Sequence, residues 1–150
     1  MDVYEKLKEL GLELPAPPAK GGVYAPAKRF GGTLVYISGC GPVLDTPIAG
    51  KLGAEFTVEE GKTFARNSML NVLAVLQAEI GNLNKVQSPV KILTMVAGTA
   101  EFYAQPQVAN GGSELLAALF GEVPARSAVG MNALPGNIPV ETEAIFEIKD

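Results

Sequence analysis

Phe64, Ser68, Asn71, Val72, Val75, Leu76 and Ile80, five of them apolar, recur at helical spacing. Thr57-Val58-Glu59-Glu60 opens this run as a capping box and Gly81 closes it, which predicts a long helix. A second helix is expected over Pro106–Phe120, with proline in its first turn, Val108, Leu115, Leu116 and Leu119 for the core and Gly121 at its end. Gly111 and Gly112 weaken it by roughly 1 kcal/mol each relative to alanine. Elsewhere the period drops to two. Tyr24–Phe30 and Thr33–Ser38 read as strands around Gly31-Gly32, and Val90–Ala97 as a third strand with Pro89 at its start. Met1–Leu10 forms a short helix that Pro15-Ala16-Pro17-Pro18 stops, so residues 1–20 are read as an appendage and linker before a domain of residues 21–150. Residues 40–56, rich in glycine and proline, read as a loop able to border a site.

The last two strands carry the chemistry. Arg126, Ala128, Gly130 and Asn132 share one face of the first, and Glu141, Glu143, Ile145 and Glu147 share one face of the second. Leu134-Pro135-Gly136-Asn137 is the natural turn of a hairpin between them. With Ala133 opposite Ile138, Arg126 is diagonal to Glu143, and Glu141 lies opposite Gly130, about 13 Å from Arg126 at strand rise. In that register Arg126 and Glu141 are too far apart to share a small ligand within one chain and are expected to meet across a subunit interface.

The order β-β-α-β-α-β-β describes an α+β domain, a single sheet with two helices packed on one face. The opposite face, assigned Arg126, Ala128, Gly130, Glu141, Glu143 and Ile145, is a poor internal core and too apolar to stay open, which predicts a symmetric oligomer. Sixteen acids against twelve bases give a net charge of −4 with no basic stripe, which argues against nucleic acid. No apolar run reaches membrane-spanning length and the N-terminus lacks a signal-peptide pattern, so a cytoplasmic protein is expected. Cys40 is the only cysteine, so no disulfide can form within the chain. The absence of histidine removes Ser-His-Asp and Cys-His catalysis and the usual zinc sites, and no phosphate-binding glycine motif is present. Neither metal nor cofactor is expected.

The element order, Ser38-Gly39 after the second strand, Asn110 in the second helix, Pro124-Ala125-Arg126-Ser127, and Leu134-Pro135 through Val140-Glu141-Thr142-Glu143-Ala144-Ile145 together resemble the RidA/YjgF family of reactive intermediate deaminases, from about Tyr24 to Ile148. The resemblance implies a chorismate-mutase-like fold, a homotrimer with clefts between subunits, and cofactor-free hydrolysis of 2-imino or enamine acids to 2-keto acids and ammonia. It implies that Arg126 binds the substrate carboxylate, that Glu141 serves the water, and that Tyr24, Gly39 and Ala128 line the cleft. Cys40 stands where well-studied members have glutamine after Ser-Gly, and would form part of the cleft wall.

The chemistry is coherent in its own right. A guanidinium matches a carboxylate bidentately and stays charged at any working pH. A protonated imine carbon is electrophilic, so a positioned water needs only modest help from a carboxylate base. Plainer readings stand beside these: Arg126 in a cross-strand ion pair with Glu143 or Glu141, Cys40 as a small buried hydrophobe, Tyr24 as edge packing, Asn110 as a structural residue at the head of the second helix. Three functions follow: an imine deaminase, a non-catalytic binder of small carboxylic acids, and, disfavoured by charge, an endoribonuclease.

Overall fold

The computed structural model describes residues 2–149. Thr57 Oγ1 accepts the Glu60 N–H at 3.2 Å while the Glu60 carboxylate accepts the Thr57 N–H at 3.1 Å, so the long helix starts where the capping pattern places it. Gly81 ends it in the left-handed conformation, at φ 83°. The elements are α1 (Val3–Glu9), β1 (Ala27–Phe30), β2 (Leu34–Cys40), α2 (Val58–Ile80), β3 (Val86–Ala97), α3 (Gln105–Phe120), β4 (Ala125–Met131) and β5 (Val140–Ile148), with short 3₁₀ turns at Leu83–Lys85 and Pro135–Asn137. One mixed sheet of five strands runs β1-β2-β5-β3-β4. Val35, Ile37, Ile92, Ala144, Phe146 and Ile148 of the sheet pack with Leu70, Leu73 and Leu76 of α2 and Leu115, Leu116 and Leu119 of α3 in one core.

The expected hairpin between the last two strands does not form. β4 pairs in parallel with β3, while β5 is antiparallel to both β2 and β3, so β3 lies between β4 and β5. The reason is a β-α-β unit: a helix follows β3, and the chain can then only return parallel to it, leaving the inner position to β5. Burial agrees, because Val140, Thr142, Ala144, Phe146 and Ile148 of β5 are all buried as a central strand requires, whereas β4 is half-buried to exposed throughout. Ile92 aligns with Arg126 and with Ala144, so Arg126 is not diagonal to Glu143 and Gly130 is not opposite Glu141.

The assignment of faces changes with the pairing. Arg126, Ala128 and Gly130 align with Ile92, Thr94 and Val96, whose side chains are buried under the helices, so these β4 residues face the helical side. Glu141, Glu143 and Ile145 align with Met95, Leu93 and Lys91 and face the open side. The mixed face proposed from the hairpin therefore does not exist.

Three other expectations shift at their ends. Tyr24 precedes β1, because strand pairing begins only after Pro26, whose ring nitrogen carries no proton to donate. β3 starts at Val86, with Pro89 inside it where the register against β5 slips. Within residues 41–56, Leu52 is fully buried and tied by its N–H to the Ala97 carbonyl at 3.0 Å, so the loop is anchored to the end of β3. At the N-terminus, Val3 and Leu7 of α1 join the main core. The Tyr4 hydroxyl donates to Gln77 at 2.7 Å and accepts the Leu83 N–H at 2.9 Å.

Candidate functional site

Strand β2 carries the feature on which the site is built. Ile37 pairs with Ala144 and Cys40 with Thr142, so three residue steps on β2 match two on β5, and Ser38-Gly39 form a bulge. The bulge puts Cys40 on the same inward face as Ile37 and frees the Gly39 backbone to approach β5. A Cβ at Gly39 would overlap the Glu141 carboxylate, so glycine lets that carboxylate lie against the backbone, and a larger residue would have to push the side chain aside. The bulge is held from β1's side: Ser38 donates from its hydroxyl to the Ala25 carbonyl at 2.7 Å and from its N–H to the Pro26 carbonyl at 2.9 Å. On the far side Asn71 of α2, buried, donates to the carbonyls of Gly41 and Val43, both at 2.9 Å.

Over this bulge lies a cleft of about 450 Å³. Tyr24, Gly39, Cys40 and Glu141 line it, together with Lys20 and Pro18 from the N-terminal segment and Pro135 and Ile138 from the turn before β5. Tyr24 is set by a local turn, its hydroxyl accepting the Gly21 N–H at 3.1 Å while Lys20 Nζ donates to the Tyr24 carbonyl at 3.2 Å. Four of the six residues named from the sequence thus share one cleft. Lys20, Pro135 and Ile138 were not anticipated. The sequence pattern marks the proline-rich segment as a linker and 134–137 as a simple turn, and no local signal tells that either folds over the bulge.

Burial, and then the nearby Glu143 charge, hold the Glu141 carboxyl above the ordinary carboxylate value of 4.5. Burial and the Glu141 charge push the Cys40 thiol up to about 12, so it stays protonated, and its sulfur sits 3.5 Å from the Ser38 carbonyl. That environment suits a small apolar wall residue rather than a thiolate nucleophile. On the open face Tyr36 donates to Glu143 at 2.5 Å, and this bond, with burial, raises the phenol to about 12.

Arg126 and Ala128 are absent from the cleft. Through Met95, Glu141 is level with Val129, so its Cα is about 14 Å from that of Arg126 at ordinary strand rise and spacing, on the opposite face of the sheet. Arg126 Nη1 donates to Asn110 Oδ1 at 2.8 Å and to Ser113 Oγ at 3.2 Å, both on α3. The cross-strand ion pair with Glu143 or Glu141 is therefore not made, and among the described residues Arg126 has no acidic partner. Asn110 does not hold the helix head; it orients the guanidinium. Among the described residues no cluster of metal-ligating side chains occurs, and no helix is long and apolar enough to cross a membrane.

A five-stranded mixed sheet with helices on one face is the architecture of chorismate-mutase-like proteins. The family model described as "YjgF/chorismate_mutase-like, putative endoribonuclease" matches residues 5–140, and the chain belongs to this YjgF/RidA family. The Trypanosoma cruzi protein TCP17 is 37% identical over 153 residues, spanning 99% of this chain and 95% of its own. The Agrobacterium tumefaciens protein Atu1372, of unknown function, superposes with a TM-score of 0.90 at 36% identity over 98% of this chain and 92% of its own. A structure from Shewanella oneidensis, titled a putative endoribonuclease, gives a TM-score of 0.94 at 28% identity over 99% and 100%. At such coverage the likeness to both structures includes the N-terminal segment that walls the cleft.

Proposed function

We propose that this protein hydrolyses 2-imino and enamine acids to 2-keto acids and ammonia without a cofactor, in clefts shared between the subunits of a homotrimer. One observation carries the reading. Arg126 is half-buried on an edge strand, aimed by two neutral oxygens and neutralised by no acid among the described residues, which is how a guanidinium is kept available for an anionic ligand. The cleft above Gly39 holds the complementary half, a carboxylate with raised proton affinity and no cation paired to it.

In this scheme Arg126 of one copy grips the substrate carboxylate and presents the imine carbon to the Glu141 cleft of another. Glu141 takes a proton from the attacking water as the C–O bond forms and returns it to nitrogen; it then takes the proton of the new hydroxyl as C=O forms and the C–N bond breaks, and passes that proton to the departing ammonia. A protonated imine and one water thus become a keto acid and ammonium. The raised affinity of Glu141 for a proton suits a base that must release it again. Tyr24, the Gly39 backbone and Cys40 wall the site, with Ala128 beside Arg126 on the partner strand. Endoribonuclease action, the term in the family description, fits the net charge of −4 poorly.

Freshly generated 2-iminopropionate and 2-iminobutyrate should be hydrolysed faster by the protein than in buffer. Arg126→Ala should lose about 10²-fold or more in kcat/KM, the scale on which charge-assisted positioning acts. No acceleration by a folded, oligomeric wild type would transfer the cleft to non-catalytic binding of small carboxylic acids.

A further inference from the structure

The cleft is larger than the smallest imino acids need. Its volume of about 450 Å³ holds roughly fifteen waters at about 30 Å³ each, whereas 2-iminopropionate has only six non-hydrogen atoms. Pro18–Gly21 form part of the cleft wall, and Lys20 there is the one cation among the lining residues. Lys20 is positioned rather than loose: its Nζ donates to the Tyr24 carbonyl, and the same turn is closed by the Gly21 N–H on the Tyr24 hydroxyl. One donated bond leaves two of the three ammonium protons free. Lys20 makes no ion pair with Glu141, nor with any other acid among the described residues.

We infer that the preferred substrate is a dicarboxylic imino acid whose distal carboxylate is received by the Lys20 ammonium. This rests on the deaminase reading of the same cleft and adds a determinant of specificity to it. Apolar groups in the same lining, Pro26, Cys40 and Ile138, suit the methylenes between the two carboxylates. A phosphate monoester fits less well, because a single ammonium facing a cleft that already holds Glu141 matches one negative charge better than two.

The test compares 2-iminoglutarate with 2-iminopentanoate, equal in chain length but lacking the distal carboxylate, each generated in situ from its amino acid. The wild type should favour the diacid in kcat/KM. Lys20→Met should lower the diacid-to-monoacid ratio about tenfold, as loss of one charge-assisted bond implies, and Lys20→Arg should retain it. A ratio near one in the wild type, or a ratio that Lys20→Met leaves unchanged, overturns the inference while the deaminase reading stands. If neither imine is hydrolysed, the deaminase reading falls, and calorimetric titration with 2-oxoglutarate and 2-oxopentanoate decides the inference. A diacid preference lost in Lys20→Met supports it; equal or undetectable binding of the two overturns it.

Discussion

Glu141 is the residue on which the site's electrostatics turn, because its carboxylate is pressed against the Gly39 backbone and half withdrawn from water. Its folded-state pKa is raised, so the folded protein holds this proton more tightly than the unfolded chain does. The sign follows. The contribution to stability is fully present below the ordinary value of 4.5 and is lost as pH rises through the higher folded value. Glu141→Gln should therefore raise the melting temperature near neutral pH, with the difference vanishing below pH 4.5, while hydrolytic activity is lost. Melting curves across that range check it, and a variant less stable than wild type at neutral pH would show that Glu141 is held by favourable contacts instead.

The two helices meet so closely that one glycine is obligatory and its neighbour is not. A Cβ at Gly111 would overlap the Lys62 backbone carbonyl, which cannot rotate aside, whereas one at Gly112 would find its nearest neighbours at 3.5 to 3.8 Å, ordinary contact. Alanine gains about 1 kcal/mol of helix propensity at either position, but overpacking against backbone costs typically about 1–3 kcal/mol or more. Gly111→Ala should thus destabilise and Gly112→Ala stabilise by up to about 1 kcal/mol, as urea unfolding would measure. The same pair shows what is legible at this scale. Helix periodicity and caps located α2 and α3 almost to the residue, and the alternation in β4 and β5 assigned each side chain to a face of its own strand. Which strands are neighbours was not legible: the turn residues at 134–137 suit a hairpin, and only the demand of the helix after β3 for a parallel return strand overrides them. The bulge at Ser38-Gly39 was likewise hidden, since a one-residue slip depends on the partner strand and not on local pattern.

For the whole molecule, the sheet keeps Arg126 and Glu141 apart by a different route from the one a hairpin would give. The hairpin reading separated Arg126 from Glu141 along one face; the actual sheet separates them by β3 and by the thickness of the sheet itself. Tyr24, Gly39, Cys40 and Glu141 are recognisable by resemblance and do converge on one cleft, while Lys20 is not legible in the sequence because its place in the lining depends on how the proline-rich segment folds back. In the proposed scheme the cleft with the acid and the edge strand with the arginine are two halves of one site, which closed cyclic symmetry would join head to tail.

That claim is tested most directly by mixing subunits. Arg126→Ala and Glu141→Gln chains, each inactive alone on 2-iminobutyrate, are refolded together in equal amounts and assayed as trimers. If the site takes Arg126 from one copy and Glu141 from the next, about a quarter of the clefts receive both intact residues and activity returns to that fraction of wild type. A mixture of confirmed mixed trimers that stays as inactive as its parents would contradict the account.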